Sequence, residues 1–300
     1  TDMRGAVRIF AENHYTYSKN FIKYLRMVAD KVRPELQHLL LENIAEEEGN
    51  YEDEDLDTLE AAGVKREWVN KKPHRDLIRR FLNAAEVDQS MFNRTDHPGG
   101  RFTSWIIKKY EDANACEALS MIGFAIEETV SILYSYLWNG LKTTDMDPED
   151  FVFFPLHILV DDGHADLLKN GFKAYWRENP EQCKAAPRLV LEVLDRRSVM
   201  MDELRDLVDT EFGATCDVPV NPNRPASIAV PTSGFNSEHV FIRDPEAAVA
   251  LSSKEVVSEL ERAVREHYLL KHDYLQCFQN QGFTDMRGAV RIFAENHYTY

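Results

Sequence analysis

The densest group of potential metal ligands in the sequence lies between residues 153 and 164. His157, Asp161 and His164 are spaced i, i+4 and i+7 in an otherwise apolar segment, so on an α-helix all three side chains would project from one stripe. A buried aspartate needs a partner, and a cation is the simplest one. The spacing therefore predicts one wall of a metal site, although two satisfied core histidines on an amphipathic helix would give the same pattern.

Three ligands from one helix do not complete the shell of a redox metal, so further ligands are expected on other core-facing helices. Glu127 follows an apolar stretch, where an acid is costly unless it is paired, whereas Glu128 points elsewhere. In a run of three acids, Glu47 lies nearest to the inward stripe of its helix. His74 opens another helix. Imidazole and carboxylate together suit iron, manganese or zinc, and six such residues could hold two ions with a bridging carboxylate.

Helical periodicity covers almost the whole chain. The predicted helices span residues 4–30, 35–48, 74–85, 113–141, 187–211 and 252–282, and a further helical segment carries the His/Asp/His stripe. The last helix opens on a capping box formed by Ser252 and Glu255. The acidic run over residues 51–60 is typical of a solvated loop or short surface helix. No strand pattern is convincing, so we predict an all-α bundle of about seven helices.

We predict that residues 1–214 form the main part of the helical domain and that residues 215–250 form an irregular linker, which is rich in proline. A helix pair over residues 251–300 would complete the bundle. Residues 284–300 repeat residues 1–17 without a change. One repeat at the two ends is not a solenoid; it is the pattern of a window cut from tandem copies or of a circular permutation.

Composition and charge narrow the function classes. A net charge of −16 and a pI near 5.1 argue against a nucleic-acid partner. The sequence has no apolar run of 18 residues and no charged segment followed by an apolar one at its start. We therefore expect neither a membrane span nor a signal peptide. The cysteines lack a C-x-x-C spacing, which favours reduced thiols in a cytoplasmic protein; they are Cys116, Cys183, Cys216 and Cys277.

Four segments resemble, in order and spacing, the haem-oxygenase-like diiron oxidases, also described as iron-containing redox enzymes. They are ENIAEEEG (Glu42–Gly49), PHRDLIRRFLNAAEV (Pro73–Val87), ALSMIGFAIE (Ala118–Glu127) and PLHILVDDGH (Pro155–His164). The resemblance implies a haem-oxygenase-like bundle and ligands for two Fe(II) ions, namely Glu47, His74, Glu127, His157, Asp161 and His164. The final His-x-x-x-Asp-x-x-His element is its most specific part.

One insertion leaves the first glutamate open. The family members in question have a short distance between this glutamate and the following histidine, whereas here residues 51–72 separate them. Glu46, Glu48 and Glu67 therefore remain alternatives to Glu47.

The resemblance also implies a reaction. Two ferrous ions would use O2 as co-substrate, pass through a peroxo-bridged diferric state and oxidise a small amino acid or other carboxylate by C–C cleavage, desaturation or N-oxygenation. Some amine-oxygenating members carry a glutamate three residues before the histidine, where this chain has Lys71, which weakens the case for N-oxygenation. Predicted substrate contacts are Tyr15, Tyr17, Lys108, Tyr134 and Trp138. A homodimer is the family habit.

Three other hypotheses remain. A haem-binding or metal-free enzyme of the same fold could use His14 as an axial ligand. A ferritin-like carboxylate protein would need two Glu-x-x-His elements, and only Glu35 to His38 has that form, as an expected surface pair. A helical interaction module would keep the histidine stripe for structure alone.

Overall fold

The structure is a computed structural model that describes residues 2–160, 162–212, 214–216, 242, 244–280 and 283–285. Its helices are α1 (Asp2–Ser18), α2 (Phe21–Ala29), α3 (Pro34–Glu47), α4 (Asp53–Ala61), α5 (Arg66–Val69), α6 (His74–Ala84), α7 (Pro98–Asp112), α8 (Ala115–Ser120), a π-helix (Met121–Glu127), α9 (Glu128–Leu141), α10 (Phe153–Leu159), α11 (Asp162–Glu178), α12 (Pro180–Cys183), α13 (Ala186–Phe212), α14 (Pro245–Val249), α15 (Ser253–Glu266) and α16 (Asp273–Asn280). Short 3₁₀ helices span Gln89–Asn93, Pro148–Phe151 and Tyr268–Lys271.

The all-α class is confirmed, but the predicted number of about seven helices is too low because several predicted helices are broken. Residues 19–20 separate α1 from α2, a π-helix interrupts the predicted helix over 113–141, and a 3₁₀ turn divides the one over 252–282. Two strands, β1 (Ala214–Cys216) and β2 (Phe283–Asp285), form an antiparallel pair. Three residues per strand are too few to give a recognisable alternation.

The predicted His/Asp/His stripe does not lie on one helix. α10 ends at Leu159 and α11 begins at Asp162, so His157 and His164 belong to different helices, and Asp161 lies outside the described residues. The sequence Asp-Asp-Gly at this point explains the break, because aspartate prefers helix starts and glycine weakens a helix interior.

Most other predicted helix limits agree with the structure. α3 has Pro34 at its first position, and α15 has the predicted capping box, in which Ser252 and Glu255 bond reciprocally. The acidic run forms α4, whose Leu56 and Leu59 are buried. α14 falls within the predicted linker 215–250, whose residues 217–236 lie outside the described part of the chain. Residues 2–17 of the first repeat copy lie in α1, whereas residues 286–300 of the second copy are not described.

The apolar core lies where the long helices cross. α1 packs against α6, α7 and α13, while α9 packs against α10 and α16. α11 covers α8 and the π-helix. Phe10, Phe81, Phe124 and Phe154 are among the largest fully buried side chains. No described helix combines the length and apolar composition needed to span a bilayer.

The cysteine prediction is wrong in part, because Cys116 and Cys183 form a disulfide that links α8 to α12. Cys277 is disulfide-bonded as well. Spacing along the chain could not reveal the first pair, which is separated by 67 positions and joined only by the fold. Disulfides are rare in cytosolic proteins, so this finding does not favour the predicted cytoplasmic location.

Gly49, just after α3, lies against the backbone of Lys72, just before α6. Its backbone has φ +87°, and a Cβ built on it would lie 2.6 Å from the backbone nitrogen of Lys72. The Lys71 amide donates a hydrogen bond to the Gly49 carbonyl at 3.0 Å. The inserted residues 51–72 therefore leave and return to one point, which keeps Glu47 beside His74.

A buried charge cluster fastens the 3₁₀ turn after α15 to α13. Nε2 of His272 lies 3.2 Å from Asp202, its Nδ1 lies 3.0 Å from Asp273, and Arg205 pairs with Asp273. Burial alone would lower the pKa of His272, but the hydrogen bonds with Asp202 and Asp273 outweigh it and raise that pKa above its ordinary value. Two carboxylates thus face the Arg205 guanidinium and an imidazole whose protonated form they favour.

We expect Gly49→Ala to destabilise the fold far more than Gly63→Ala does. Both glycines have positive φ, but a Cβ at Gly63 would meet nothing within 4 Å. Gly63→Ala should thus cost about 1 kcal/mol from backbone conformation alone, whereas Gly49→Ala should cost about 3 kcal/mol or more because the Lys72 backbone must also move. Urea unfolding measures both, and equal losses would show that the close approach of Gly49 to Lys72 does not restrict the side chain at position 49.

We also expect a pH signature from His272. A folded pKa above the unfolded value near 6.5 means that its contribution is complete below about pH 6.5 and disappears as the pH rises through the folded pKa. His272→Gln should therefore lower the free energy of unfolding by roughly 3 kcal/mol at pH 6 and by less at pH 9. His38→Gln, at an exposed histidine, is the control; a loss independent of pH would contradict the assignment.

Candidate metal centre

Glu47, His74 and His157 form a buried cluster at the junction of α3, α6 and α10. One ligand atom from each lies within 4.8 Å of the others. Oε1 of Glu47 is 2.9 Å from Nδ1 of His74 and 3.9 Å from Nε2 of His157. All three side chains are less than a tenth exposed. A carboxylate and two imidazoles thus converge on one point within the core.

Each imidazole is oriented by the bond that its other nitrogen makes. Nδ1 of His157 donates to the Phe153 carbonyl at 2.6 Å, so its Nε2 faces Glu47. Nε2 of His74 bonds the hydroxyl of Tyr51. Nδ1 of His74 is buried and close to Oε1 of Glu47, but it makes no hydrogen bond to that oxygen or to any other described atom. Such second-nitrogen bonds are the usual device that fixes metal-binding histidines.

A second group lies next to the first. Nε2 of His164, on α11, is 3.0 Å from Oε2 of Glu46. Glu127 is buried and accepts a hydrogen bond from Nδ2 of Asn43 at 3.0 Å. His164 also acts electrostatically on both Glu127 and Glu47, so the two groups share one electrostatic environment. Asp161, the predicted ligand between the two histidines, is outside the described residues.

The π-helix explains why Glu127 rather than Glu128 faces the core. Residues 121–127 form a wider turn than an α-helix does, and such turns are rare and concentrated at functional sites. Glu127, at its end, is 7% exposed. Glu128 instead pairs with Lys169 and Arg265. The predicted inward direction of Glu127 is confirmed.

Burial dominates the electrostatics of the site. Loss of water raises the pKa of Glu47 and of Glu127 to about 7. The same burial lowers the pKa of His74 and of His157 to about 3. The two imidazoles are therefore neutral near pH 7, with lone pairs available for a metal.

The structure separates the alternatives for the first glutamate. Glu47 lies with His74 and His157, and Glu46 lies with His164. Glu48 pairs with Arg75 at 3.1 Å, and Glu67 is exposed on α5. Glu48 and Glu67 are thus outside both groups, whereas Glu47 belongs to the first group and Glu46 to the second.

Two cavities adjoin the cluster and share Glu127, Val130 and His157. One, of about 160 Å³, is also lined by Ser131 and Ala165. The other, of about 20 Å³, is lined by residues that include Glu47, Tyr17, Tyr134 and Phe153. A small organic molecule would fit the first, and the second has room for a water or a small functional group.

The predicted substrate contacts divide accordingly, with Tyr17 and Tyr134 at the smaller cavity. Lys108 is a correction, because its exposed side chain pairs with Asp112 on the surface of α7 at 2.7 Å. Tyr15 is occupied by Arg79, and Trp138 lies against Lys142. None of these three residues lines either cavity. Helical periodicity predicts whether a side chain faces the core, but it does not predict which part of the core the side chain faces.

Sequence reasoning missed the residues that support the cluster. Asn43 precedes Glu47 by one helical turn, and that i, i+4 spacing was a usable signal. Tyr51 carries no signal, because it follows the Gly49 turn in the inserted segment. His14 lies close by, with its Nε2 at 2.9 Å from the Tyr134 hydroxyl and its ring stacked on Phe10. Glu35 and His38, by contrast, are exposed as predicted.

Fold and site together define an all-α protein with a buried carboxylate and imidazole centre. The profile of the family described as "Iron-containing redox enzyme" matches residues 8–197, more than half of the chain. The chain therefore belongs to this family, and its bundle has the haem-oxygenase-like fold. Comparison with curated proteins and comparison with solved structures give no match.

The residues present fit the iron that the family implies. The unpartnered Nδ1 of His74 and the facing carboxylate of Glu47 are aimed at one point, and mixed imidazole and carboxylate ligands suit iron. A second buried Asp/His group, at His272, differs in already holding a cation of the chain, because Arg205 pairs with Asp273.

We expect divalent metal to stabilise the chain through Glu47. Anaerobic Fe(II), or Mn(II) as a redox-inert substitute, at 100 times its Kd should add about 2.7 kcal/mol and raise Tm by roughly 2 °C or more. Glu47→Gln should abolish this shift, while Glu48→Gln, at the neighbouring surface acid, should keep it. Equal shifts in the two variants would contradict a metal site at this position.

Proposed function

We propose that the chain is a non-haem diiron, O2-dependent oxidase or oxygenase that acts on a small amino acid or other carboxylate. The observation that carries this proposal is the pair of adjacent groups, Glu47/His74/His157 and Glu46/Glu127/His164. Each offers imidazole and carboxylate from different helices. Membership of the iron-containing redox enzyme family supports iron as the metal.

Two ferrous ions held by these residues would supply the reduction of O2 and the oxidising power. The protein's own part is to hold, orient and protect. Tyr51 and the Phe153 carbonyl fix the two imidazoles, and Asn43 fixes Glu127. Aromatic side chains around His157, including Phe153 and Tyr134, keep bulk water away from the centre.

The carboxylates also have a proton role. Because burial raises the pKa of Glu47 and Glu127 to about 7, these groups hold protons in the metal-free chain more readily than exposed glutamates do. Metal binding requires the deprotonated form and releases those protons. Metal ions and protons therefore compete for the same carboxylate oxygens.

The reaction type follows from what surrounds His74. Three residues before it, Lys71 is exposed and adds no further carboxylate to the centre. Since some amine-oxygenating members of the family that the sequence resembles carry a glutamate there, oxidative C–C cleavage or desaturation is favoured over N-oxygenation. The 160 Å³ cavity beside Glu127 and His157 suits a substrate of a few heavy atoms.

We expect about two irons per chain after anaerobic loading, and O2 uptake on exposure to air. Glu127→Gln should hold at most one tightly bound iron and lower the O2 uptake rate at least 100-fold, because its amide is a poor ligand. Glu48→Gln is the matched control, since Glu48 pairs with Arg75 outside the cluster. Iron content by mass spectrometry and O2 uptake by electrode decide it; unchanged stoichiometry in Glu127→Gln would sink the diiron proposal.

A further inference from the structure

Arg197, on α13, is a buried cation with no counter-ion among the described residues. Its side chain is one of the largest that are fully buried in the described structure, with 2% of the residue exposed. Among the described residues, no carboxylate lies within ion-pair distance of it. Its guanidinium donates one long hydrogen bond, at 3.3 Å, to the Thr129 hydroxyl, and its Nε has no partner. An unpaired buried charge is costly, so its presence calls for an anion that the described part of the chain does not supply.

The position of Arg197 connects it to the metal centre through Tyr17. Its guanidinium carbon lies over the Tyr17 ring, 5.4 Å from the ring centroid. Thr129, which it contacts, is two residues beyond Glu127. Tyr17 also lines the smaller cavity with Glu127 and Glu47, and it interacts electrostatically with Arg197 and with both acids. The tyrosine therefore adjoins both the cation and the cluster.

The Tyr17 hydroxyl is the second unused group. It is buried and has no hydrogen-bond partner, although a buried phenol normally finds one. Tyr17 lines the 20 Å³ cavity together with Glu47, Glu127 and His157. A free O–H donor thus faces a space the size of one small functional group, and the nearest uncompensated cation lies behind its ring.

We propose that Tyr17 and Arg197 form the subsite for the carboxylate of the substrate. The Tyr17 hydroxyl donates a hydrogen bond to one carboxylate oxygen, while Arg197 acts through the ring as a positioning residue that supplies the compensating charge. The remainder of the substrate extends into the 160 Å³ cavity, which shares Glu127, Val130 and His157 with the smaller one. This inference rests on the proposed function, because an anion beside Glu47 and Glu127 requires the metal ions that neutralise these acids.

The subsite also orients the substrate. The carboxylate is held at the Tyr17 end of the cavities and the aliphatic part lies along Val130, Ile132 and Ala165. Carbons adjacent to the carboxylate would then lie beside Glu127 and His157. A neutral isostere of the substrate should lose this attraction, which distinguishes charge recognition from simple filling of the cavity.

The test uses the anaerobic, Fe(II)-loaded chain in low-chloride buffer. Isothermal titration measures the Kd of butanoate and pentanoate and of their uncharged carboxamides. The variants are Arg197→Met, Arg197→Lys and Tyr17→Phe, with Arg196→Met as matched control. Arg196 is the adjacent arginine, whose guanidinium lies over Trp105 and not over Tyr17.

The wild type should bind at least one acid roughly tenfold or more tighter than its amide. Arg197→Met should weaken acid binding by about 10- to 100-fold, and Tyr17→Phe by about tenfold. Amide binding should not change, Arg197→Lys should restore most of the acid affinity, and Arg196→Met should behave as wild type. Metal-free Arg197→Met should unfold at the same or a higher temperature, because it loses an unpaired buried charge.

Iron content separates the two levels of the argument. If the wild type does not bind iron, the proposed function is wrong. The subsite is tested only on chains that hold two irons. If such chains show no preference for acid over amide, or if Arg197→Met keeps the wild-type preference for acid, the subsite is wrong. A lower melting temperature for Arg197→Met with unchanged acid affinity would show that Arg197 is a structural cation on Tyr17.

Discussion

The burial of Glu47 and Glu127 in an apolar core is the constraint on which the rest of the structure depends. Away from water both carboxylates resist ionisation, and the pKa of each rises to about 7. The same environment keeps His74 and His157 neutral, so they offer lone pairs and no positive charge. These buried carboxylates and neutral imidazoles therefore favour a bound cation, whereas Arg197, which lies over the Tyr17 ring, favours a bound anion.

The irregular parts of the backbone are the ones that aim these groups. Gly49 turns the chain after α3 and holds it against Lys72, so Glu47 meets His74. The break between α10 and α11 allows His157 and His164 to approach Glu47 and Glu46 separately. Regular helices supply the packing, and the departures from regularity place the ligands.

Local rules sufficed for much of the fold and for part of the site. Proline at the start of α3, the capping box of α15 and the inward direction of Glu127 all follow from neighbouring residues. The join at Gly49, the Cys116 to Cys183 disulfide and the bond from Tyr51 to His74 depend on residues brought together by the fold, so no local pattern reported them. Arg197 is the clearest case, since an arginine on an amphipathic helix is expected at the surface and only the packed structure shows it enclosed.

The π-helix before Glu127 has a consequence for comparing this chain with its relatives. Its extra residue rotates everything downstream by about 100° relative to a continuous α-helix. A relative shorter by one residue within 121–127 would present a different side chain to the centre, even where every glutamate in the alignment is matched. A one-residue gap at this point in an alignment therefore marks a change in the ligand set, and it should be kept in the alignment.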